Sequence, residues 1–470
     1  MKDCAARWIS SGPYSWGRAD WTRESTEAFV DKDDIHQRQL DGQAPEISRQ
    51  DKRFIKKNEH RLSIEIKGQL IMAKSKVLIV FGTRPEAIKL APIIKRLKVG
   101  SSKLEPVVCV TAQHREMLDQ ALRLFRIDPD YDLKLMKKDQ TLFDITAEGL
   151  KRIRGVLEKE KPDLILVQGD TTTTFVAGLA AYYLKIGLAH LEAGLRTVDK
   201  YNPFPEEMNR KLTDCLADLY FAHTAKAREN LIREGVPPGI VFVTGNTVVD
   251  ALLMILEEQK KDEIQKGMER HFFEKYGISF EERKTLLITC HRRESFGKDF
   301  ETICIGLKRI AKSRADIQLI YPVHLNPNVQ KPVRSILGGI ENVHLIEPLD
   351  YSSFVWVMNR AYLILTDSGG IQEEAPSLGK PILVMRKTTE RTEGIEAGTA
   401  KLVGTDSKNI LDETMKLICD NGRYEEMAKA ANPYGDGKAS ERIYDILLDQ
   451  ISNPVKPPGR RKETPGADET

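Results

Sequence analysis

From Lys76 onward the chain alternates short β-branched runs with amphipathic helical stretches, and this alternation constrains the fold more than any other feature. KVLIVFG is followed by PEAIKLAPIIKRLK, VVCVTA by REMLDQALRLF and DLILVQGD by TTTTFVAGLAAYYLK, after which come LAHLEAG, DLYFAHT and IVFVTGN. Strand-length apolar runs separated by helices make parallel βαβ units, because a parallel strand needs a crossover and its sheet is covered on both faces. A charged helical stretch, residues 250 to 283, interrupts the pattern, which restarts with TLLITCH, IQLIYPV, VHLIEP, YLILTDSG, PILVM and AKLVG. The expected fold is therefore α/β, with two Rossmann-like doubly wound domains. A length of 470 residues, beyond the usual size of one core, agrees.

The boundaries read as 74–246 for the first domain, joined by a C-terminal helix at about 439–452, and 247–438 for the second. Residues 1–73 are polar, lack clear periodicity and hold Trp8, Trp16 and Trp21; they read as a disordered or mis-called extension, with Met72 suggesting a shorter natural start. The Pro-rich charged end, 453–470, reads as a disordered tail. A net charge of +3 is too small for a broad nucleic-acid footprint. The six cysteines are scattered without CxxC pairs, no apolar leader opens the chain, and nowhere do about 18 apolar residues run together. A soluble protein of a reducing, cytoplasmic compartment is expected, without membrane or nucleic-acid partners.

In doubly wound sheets ligands bind beyond the carboxyl ends of the strands. Those ends read FGTRPE, QGDTTTT, HLEAGLR, TCHRRES, YPVH and TDSGG, so charged and imidazole groups from both halves are expected at one cleft. FGTRPEAIK has one glycine where a dinucleotide fingerprint has GxGxxG, so nicotinamide chemistry loses its main support. Arg84 and Lys89 flank a helix start opened by Pro85 and can reach an anion there. In TDSGGIQEEAPSLGKP two glycines precede a helix with no lysine beside them and two glutamates one turn on, a pattern suited to a ligand bearing both phosphates and hydroxyls. Asp170, Glu192, Glu206 and Glu207 are carboxylates at or just after strand ends, suited to proton transfer. Asp170 is equally placed to cap the following helix, and Glu206 or Glu207 to complement a helix dipole. His291, beside Arg292 and Arg293, can donate to a phosphate or move a proton near neutral pH, with His324 of YPVH a further candidate. His190 lies within a strand and is expected to be packed; no His or Cys pair shows metal-ligand spacing.

Taken together, FGTRPEAIKLAP, TAQHREMLDQ, QGDTTTT, HLEAGLRT, PFPEEMNR, TGNTVVDAL, CHRRESFG, YPVHLNPNV, TDSGGIQEEAPSLGKP and MRKTTERTEG, in order over about residues 76–445, resemble the non-hydrolysing UDP-N-acetylglucosamine 2-epimerases. The resemblance implies a GT-B-like fold with the nucleotide between the domains, a homodimer, and neither metal nor NAD as cofactor. It matches Ser368, Gly369 and Gly370 to positions that hold the UDP phosphates, Glu374 to the one that grips ribose hydroxyls, and Phe354 and Arg391 to further nucleotide-side positions. Arg84, Lys89, Asp170, Glu192, Glu206 and His291 match residues around the sugar and its leaving diphosphate. Gln113, Arg292 and His324 match an activating site of bacterial members.

The implied reaction answers a chemical difficulty: the C2 proton of N-acetylglucosamine has no adjacent carbonyl to acidify it. Family members eliminate UDP across C1 and C2, leaving 2-acetamidoglucal, then return UDP with a proton delivered to the other face of C2. The product, UDP-N-acetylmannosamine, feeds cell-surface polysaccharide. The scheme casts Asp170, Glu192 and Glu206 in proton transfer, with His291 and Arg84 supporting UDP departure. The chain departs from the family pattern at Gln168 for His, Cys290 for a small residue, Thr392 for Pro, and Glu116 for the Gln of some members. The alternatives are a hydrolysing 2-epimerase, an epimerase of a UDP-diacetamido or uronic sugar, a GT-B glycosyltransferase, and a non-enzymatic sugar-nucleotide sensor.

Overall fold

The computed structural model describes residues 74–452, apart from 101–102, 112–114, 137–139 and 198. The expectations for 1–73, for 453–470 and for Gln113 lie outside the described residues. The first sheet holds β1 (Ser75–Phe81), β2 (Leu104–Val110), β3 (Tyr131–Asp132), β4 (Leu164–Gln168), β5 (Gly187–Ala193), β6 (Leu219–Ala222) and β7 (Val241–Val243), in the spatial order β3-β2-β1-β4-β5-β6-β7. The second holds β8 (Lys284–Thr289), β9 (Ile317–Pro322), β10 (Val343–Ile346), β11 (Leu363–Thr366), β12 (Ile382–Val384) and β13 (Ala400–Leu402), in the order β10-β9-β8-β11-β12-β13. Every strand pairing is parallel. The two doubly wound α/β sheets expected from the sequence are those found; β3, two residues at an edge, is too short to have announced itself.

Helices on both faces explain why the strands read as unbroken apolar runs: Val77 to Phe81 of β1 are all fully buried. The helix Arg84–Gly100 lays Leu90, Ile93, Ile94 and Leu97 against this sheet, each worth about 1.5–3 kcal/mol of burial. Between the sheets, the helix Thr247–Gln259 contributes Val248, Val249 and Leu252 to a cluster that also holds Ile79 of β1 and Ile364 of β11. The C-terminal helix Ala439–Ser452 returns to the first sheet's side, where the Tyr444 hydroxyl donates to the Gly100 carbonyl at 2.6 Å. Its first turn is held by buried Asp250, which accepts from the Ser440 amide (2.8 Å) and hydroxyl (2.6 Å). Among the described residues no helix is long and apolar enough to cross a membrane.

Each sheet reverses its winding once, between β1 and β4 and between β8 and β11. Neighbouring strands at such a point send their chains to opposite faces, which opens a crevice at their carboxyl ends. Arg84, Asp170, His291 and Ser368 follow these four strands. The fold thus places sequence-predicted groups from both halves at the two switch points.

Candidate active site

A cavity of about 380 Å³ receives Arg84 and Lys89 from the first half of the chain; His291, His324, Phe354, Ser368, Gly370, Glu374 and Arg391 come from the second. The turn after β1 is fixed by Glu86, which is 2% exposed and accepts from the Gly82 and Thr83 amides at 3.0 and 2.8 Å. Its other oxygen accepts from Thr171 and Thr174 hydroxyls at 2.7 and 3.1 Å, tying the turn after β1 to the turn after β4. Thr171, not Asp170, caps the helix Thr172–Tyr183, so the capping role left open for Asp170 is already taken.

Below the cavity, cations and carboxylates interlock. Lys89 Nζ lies 2.5 Å from Glu192 and 3.5 Å from Glu373. Arg391 donates to Glu373 at 3.0 Å and to Glu390 at 2.8 Å, and its guanidinium stands 3.9 Å from Glu192. Glu373, fully buried, also accepts from the Asn246 side-chain Nδ2 at 3.1 Å. Glu192 sits on a bulge of β5 with φ +62°, a left-handed conformation that costs a residue bearing a Cβ about 1 kcal/mol or more. Its carboxylate takes a hydrogen bond from Gln168 at 2.6 Å. Gly369 makes room for Arg391, since a Cβ there would stand 3.0 Å from the guanidinium carbon.

The electrostatics separate these carboxylates. Burial resists the ionisation of Glu192, but Lys89 above all, with Arg391, outweighs it and holds the group well below the usual carboxylate range. Lys89 is raised in turn: burial would lower it, and Glu192 and Glu373 more than compensate. Asp170 moves the other way, pushed up by burial against the pull of Arg210, whose guanidinium donates to it at 2.7 Å. Its side chain keeps 29% of its surface exposed, so the push is softer than for a sealed group. Glu374 is driven up to about 7 by burial, opposed first by the Tyr351 hydroxyl that donates to it at 2.7 Å. Neighbouring carboxylates with opposed protonation tendencies are the arrangement that divides acid from base work.

The structure does not join Glu206 to this cluster by any hydrogen bond among the described residues, and its Oε2 is buried without a partner there. Glu207 is the structural member of that pair: fully buried, it accepts from the Thr197 amide at 3.0 Å and faces Arg210 at 3.5 Å. His190 is packed as expected, between Asp214 (2.6 Å) and the Gly169 carbonyl (2.7 Å). On the opposite wall His291 stacks on His324, ring centres 5.4 Å apart, and Arg292 reaches Glu390 at 3.3 Å.

The UDP-N-acetylglucosamine 2-epimerase family model matches residues 97–448. The chain belongs to the UDP-N-acetylglucosamine 2-epimerase family. The Salmonella typhimurium UDP-N-acetylglucosamine 2-epimerase is 55% identical over 372 residues, 79% of this chain and 98% of that protein. The Neisseria meningitidis UDP-GlcNAc 2-epimerase, solved bound to UDP-GlcNAc, superposes with a TM-score of 0.75 at 51% identity, covering 80% of this chain and 100% of its own. The S. aureus MnaA–UDP structure gives a TM-score of 0.72 at 47% identity, covering 81% of this chain and 98% of that one.

In this 2-epimerase family member, several site neighbours escape a reading of the letters. Glu373, Glu86, His223 and Asp367 lie within the quoted segments, but the letters assign none of them its own task at the site. His223 is buried, pushed toward the neutral form by desolvation, and its Nδ1 has no partner among the described residues. Gln168 did carry a signal: it departs from the His often seen there, and the structure shows what it does, namely donate to Glu192.

Proposed function

We propose that this family member interconverts UDP-N-acetylglucosamine and UDP-N-acetylmannosamine by eliminating UDP across C1 and C2 and adding it back after protonation of the opposite face of C2. The observation that carries this reading is that Glu192 lies 2.5 Å from Lys89 and 3.9 Å from Arg391, two cations that line the cavity with Arg84, while nearby Asp170 is pushed up by burial and Glu192 is pulled down by Lys89. In the forward step a carboxylate takes the C2 proton while the C1–O bond breaks and its electron pair leaves on the diphosphate. In the return step C2 receives a proton from the other side and the diphosphate oxygen reattaches to C1. Two carboxylates of unlike proton affinity serve these opposite demands. Arg84, Lys89 and His291 stabilise the charge that develops on the diphosphate, a preorganised electrostatic contribution of several kcal/mol in such sites.

Ser368, Gly369 and Gly370 hold the phosphates in this reading, Glu374 the ribose and Phe354 the base side. Glu206 is assigned to the proton-transfer set by the family resemblance alone, and Arg292 and His324 border the wall where an activating sugar nucleotide would sit. The division into domains at 74–246 and 247–438, the homodimer and a cytoplasmic location belong to the same reading, with polysaccharide supply as its purpose. The test is incubation with UDP-N-acetylglucosamine in deuterated water, followed by NMR. UDP-N-acetylmannosamine carrying deuterium at C2 is expected; free UDP accumulating with N-acetylmannosamine would replace the reading by a hydrolysing one. Glu192→Gln should lower the exchange rate by on the order of 100-fold or more while the protein stays folded.

A further inference from the structure

Asp367 directly follows β11, one residue before Ser368, and the reaction described above leaves it without a task. It is fully buried. Its Oδ2 accepts the backbone N–H of His291 at 2.6 Å and of Arg292 at 2.7 Å. Its Oδ1 is also buried and lies 3.6 Å from His291 Nδ1; the other side chain on this carboxylate is the Cys290 thiol, a weak donor. A thiol satisfies a buried carboxylate oxygen poorly, so a stronger donor at Oδ1 would be favoured.

The backbone supplies the precision. β8 and β11 are neighbours, with Thr289 opposite Thr366, so the segments carrying His291 and Asp367 leave the sheet side by side. Because Oδ2 is fastened to the amide of His291 itself, the carboxylate is fixed relative to that residue's own main chain. A small rotation of the imidazole, whose side chain is 43% exposed, brings Nδ1 into hydrogen-bond range of Oδ1.

We propose that Asp367 is a positioning residue for His291: Oδ1 accepts the Nδ1–H, which turns Nε2 toward the cavity. Resting on the function proposed above, the charged ring hands its Nε2 proton to the leaving diphosphate oxygen as the C1–O bond breaks, and the neutral ring left behind carries its proton on Nδ1, where Asp367 accepts it. The proton returns to Nε2 when the bond re-forms. The other groups facing His291 are His324, stacked on it from beyond β9, Arg292 beside it, the Cys290 thiol beneath, and Arg84, Lys89, Glu374 and Arg391 lining the same cavity. His324 is pushed toward its neutral form, first by burial and then by His291, and burial together with Asp367 keeps Cys290 a thiol.

The test reads the tautomer directly. In full-length protein labelled with ¹⁵N-histidine, the His291 resonance is assigned by its loss in His291→Gln, and the spectrum is recorded at alkaline pH. The Nδ1-protonated form is expected, whereas a free imidazole favours Nε2–H; finding Nε2–H in the wild-type chain overturns the proposal without any variant having to fold. In Asp367→Asn the carbonyl can keep both backbone amides while the NH₂ group faces Nδ1, which moves the ring proton to Nε2. The expected result is a flipped tautomer and a kcat lowered on the order of 100-fold, with KM changed less than about twofold. An unchanged tautomer, or a loss confined to KM, overturns it. A wild-type chain that shows the Nδ1–H form but no epimerisation refutes the functional reading and leaves the Asp367 contact standing.

Discussion

Glu374 sets stability against binding, and replacing it with glutamine separates the two. The residue is 7% exposed, and burial drives its carboxyl from an ordinary value of 4.5 up to about 7, despite the Tyr351 hydroxyl and the charges of Lys89 and Arg84. The folded chain thus holds a proton there that the unfolded chain releases at about 4.5. Between those two values the folded state binds more protons, so stability falls as pH rises. Below pH 4.5 both states are protonated and the group is neutral in effect; above pH 7 the penalty is complete. A gap of 2.5 pH units at about 1.36 kcal/mol each amounts to about 3 kcal/mol.

Glu374→Gln removes that penalty and keeps an oxygen for the Tyr351 hydroxyl. At pH 8 and without added nucleotide the variant should be more stable by about 3 kcal/mol, or about 4 °C in Tm at roughly 2.1 cal/mol/K per residue over the 74–452 span. At pH 5 the gain should nearly vanish. UDP binding should weaken at pH 8, where the amide replaces a charged acceptor for sugar hydroxyls, and change less at pH 5, where the carboxyl is already neutral. Thermal unfolding followed by circular dichroism at the two pH values decides the matter: an equal difference at both, or a less stable variant at pH 8, would refute the reasoning.

Gly369→Ala places a methyl 3.0 Å from the guanidinium carbon of Arg391, which must then slide off Glu373; UDP affinity by calorimetry should fall about 10-fold, and unaltered affinity would show that the arginine yields freely. Asp214→Asn neutralises a carboxylate, 3% exposed, that pairs with His190 at 2.6 Å and Arg196 at 2.7 Å. It should cost about 3–5 kcal/mol in urea unfolding with KM unaffected, and a loss under about 1 kcal/mol would mean that Glu234 alone satisfies Arg196.

Every strand but β3 is legible in the sequence, because a strand covered on both faces cannot break its apolar run, as VLIVF and LILT show. Arg84, His291 and Ser368 are legible for a second reason: they follow strands at the two switch points, where topology alone marks the crevice. The adjacent glutamates of GGIQEE are not. One helical step apart, Glu373 turns inward to Arg391 and Asn246 while Glu374 meets Tyr351, and no local pattern tells which does which. Glu86 receives no reading of its own from the sequence, because its partner Thr171 lies 85 positions away. HLEAG reads as a regular strand, while the bulge and the positive φ that aim Glu192 arise from its register with β6.

The same register has an electrostatic consequence. Lys89 is shared between Glu192 and Glu373, and Arg391 between Glu373 and Glu390 with Glu192 at 3.9 Å, so each cation is balanced by more than one carboxylate. Held below the usual range by these cations, Glu192 is a weaker base than an unpaired carboxylate. On the function proposed here, a diphosphate seated at the Ser368 turn competes for Lys89 and Arg391 and loosens their hold on Glu192. The pull of Lys89 is the largest of the forces keeping that carboxylate ionised, so weakening it raises the proton affinity of Glu192. Binding of the leaving group and strengthening of the base are then one event, and a sugar without its diphosphate meets a weaker base.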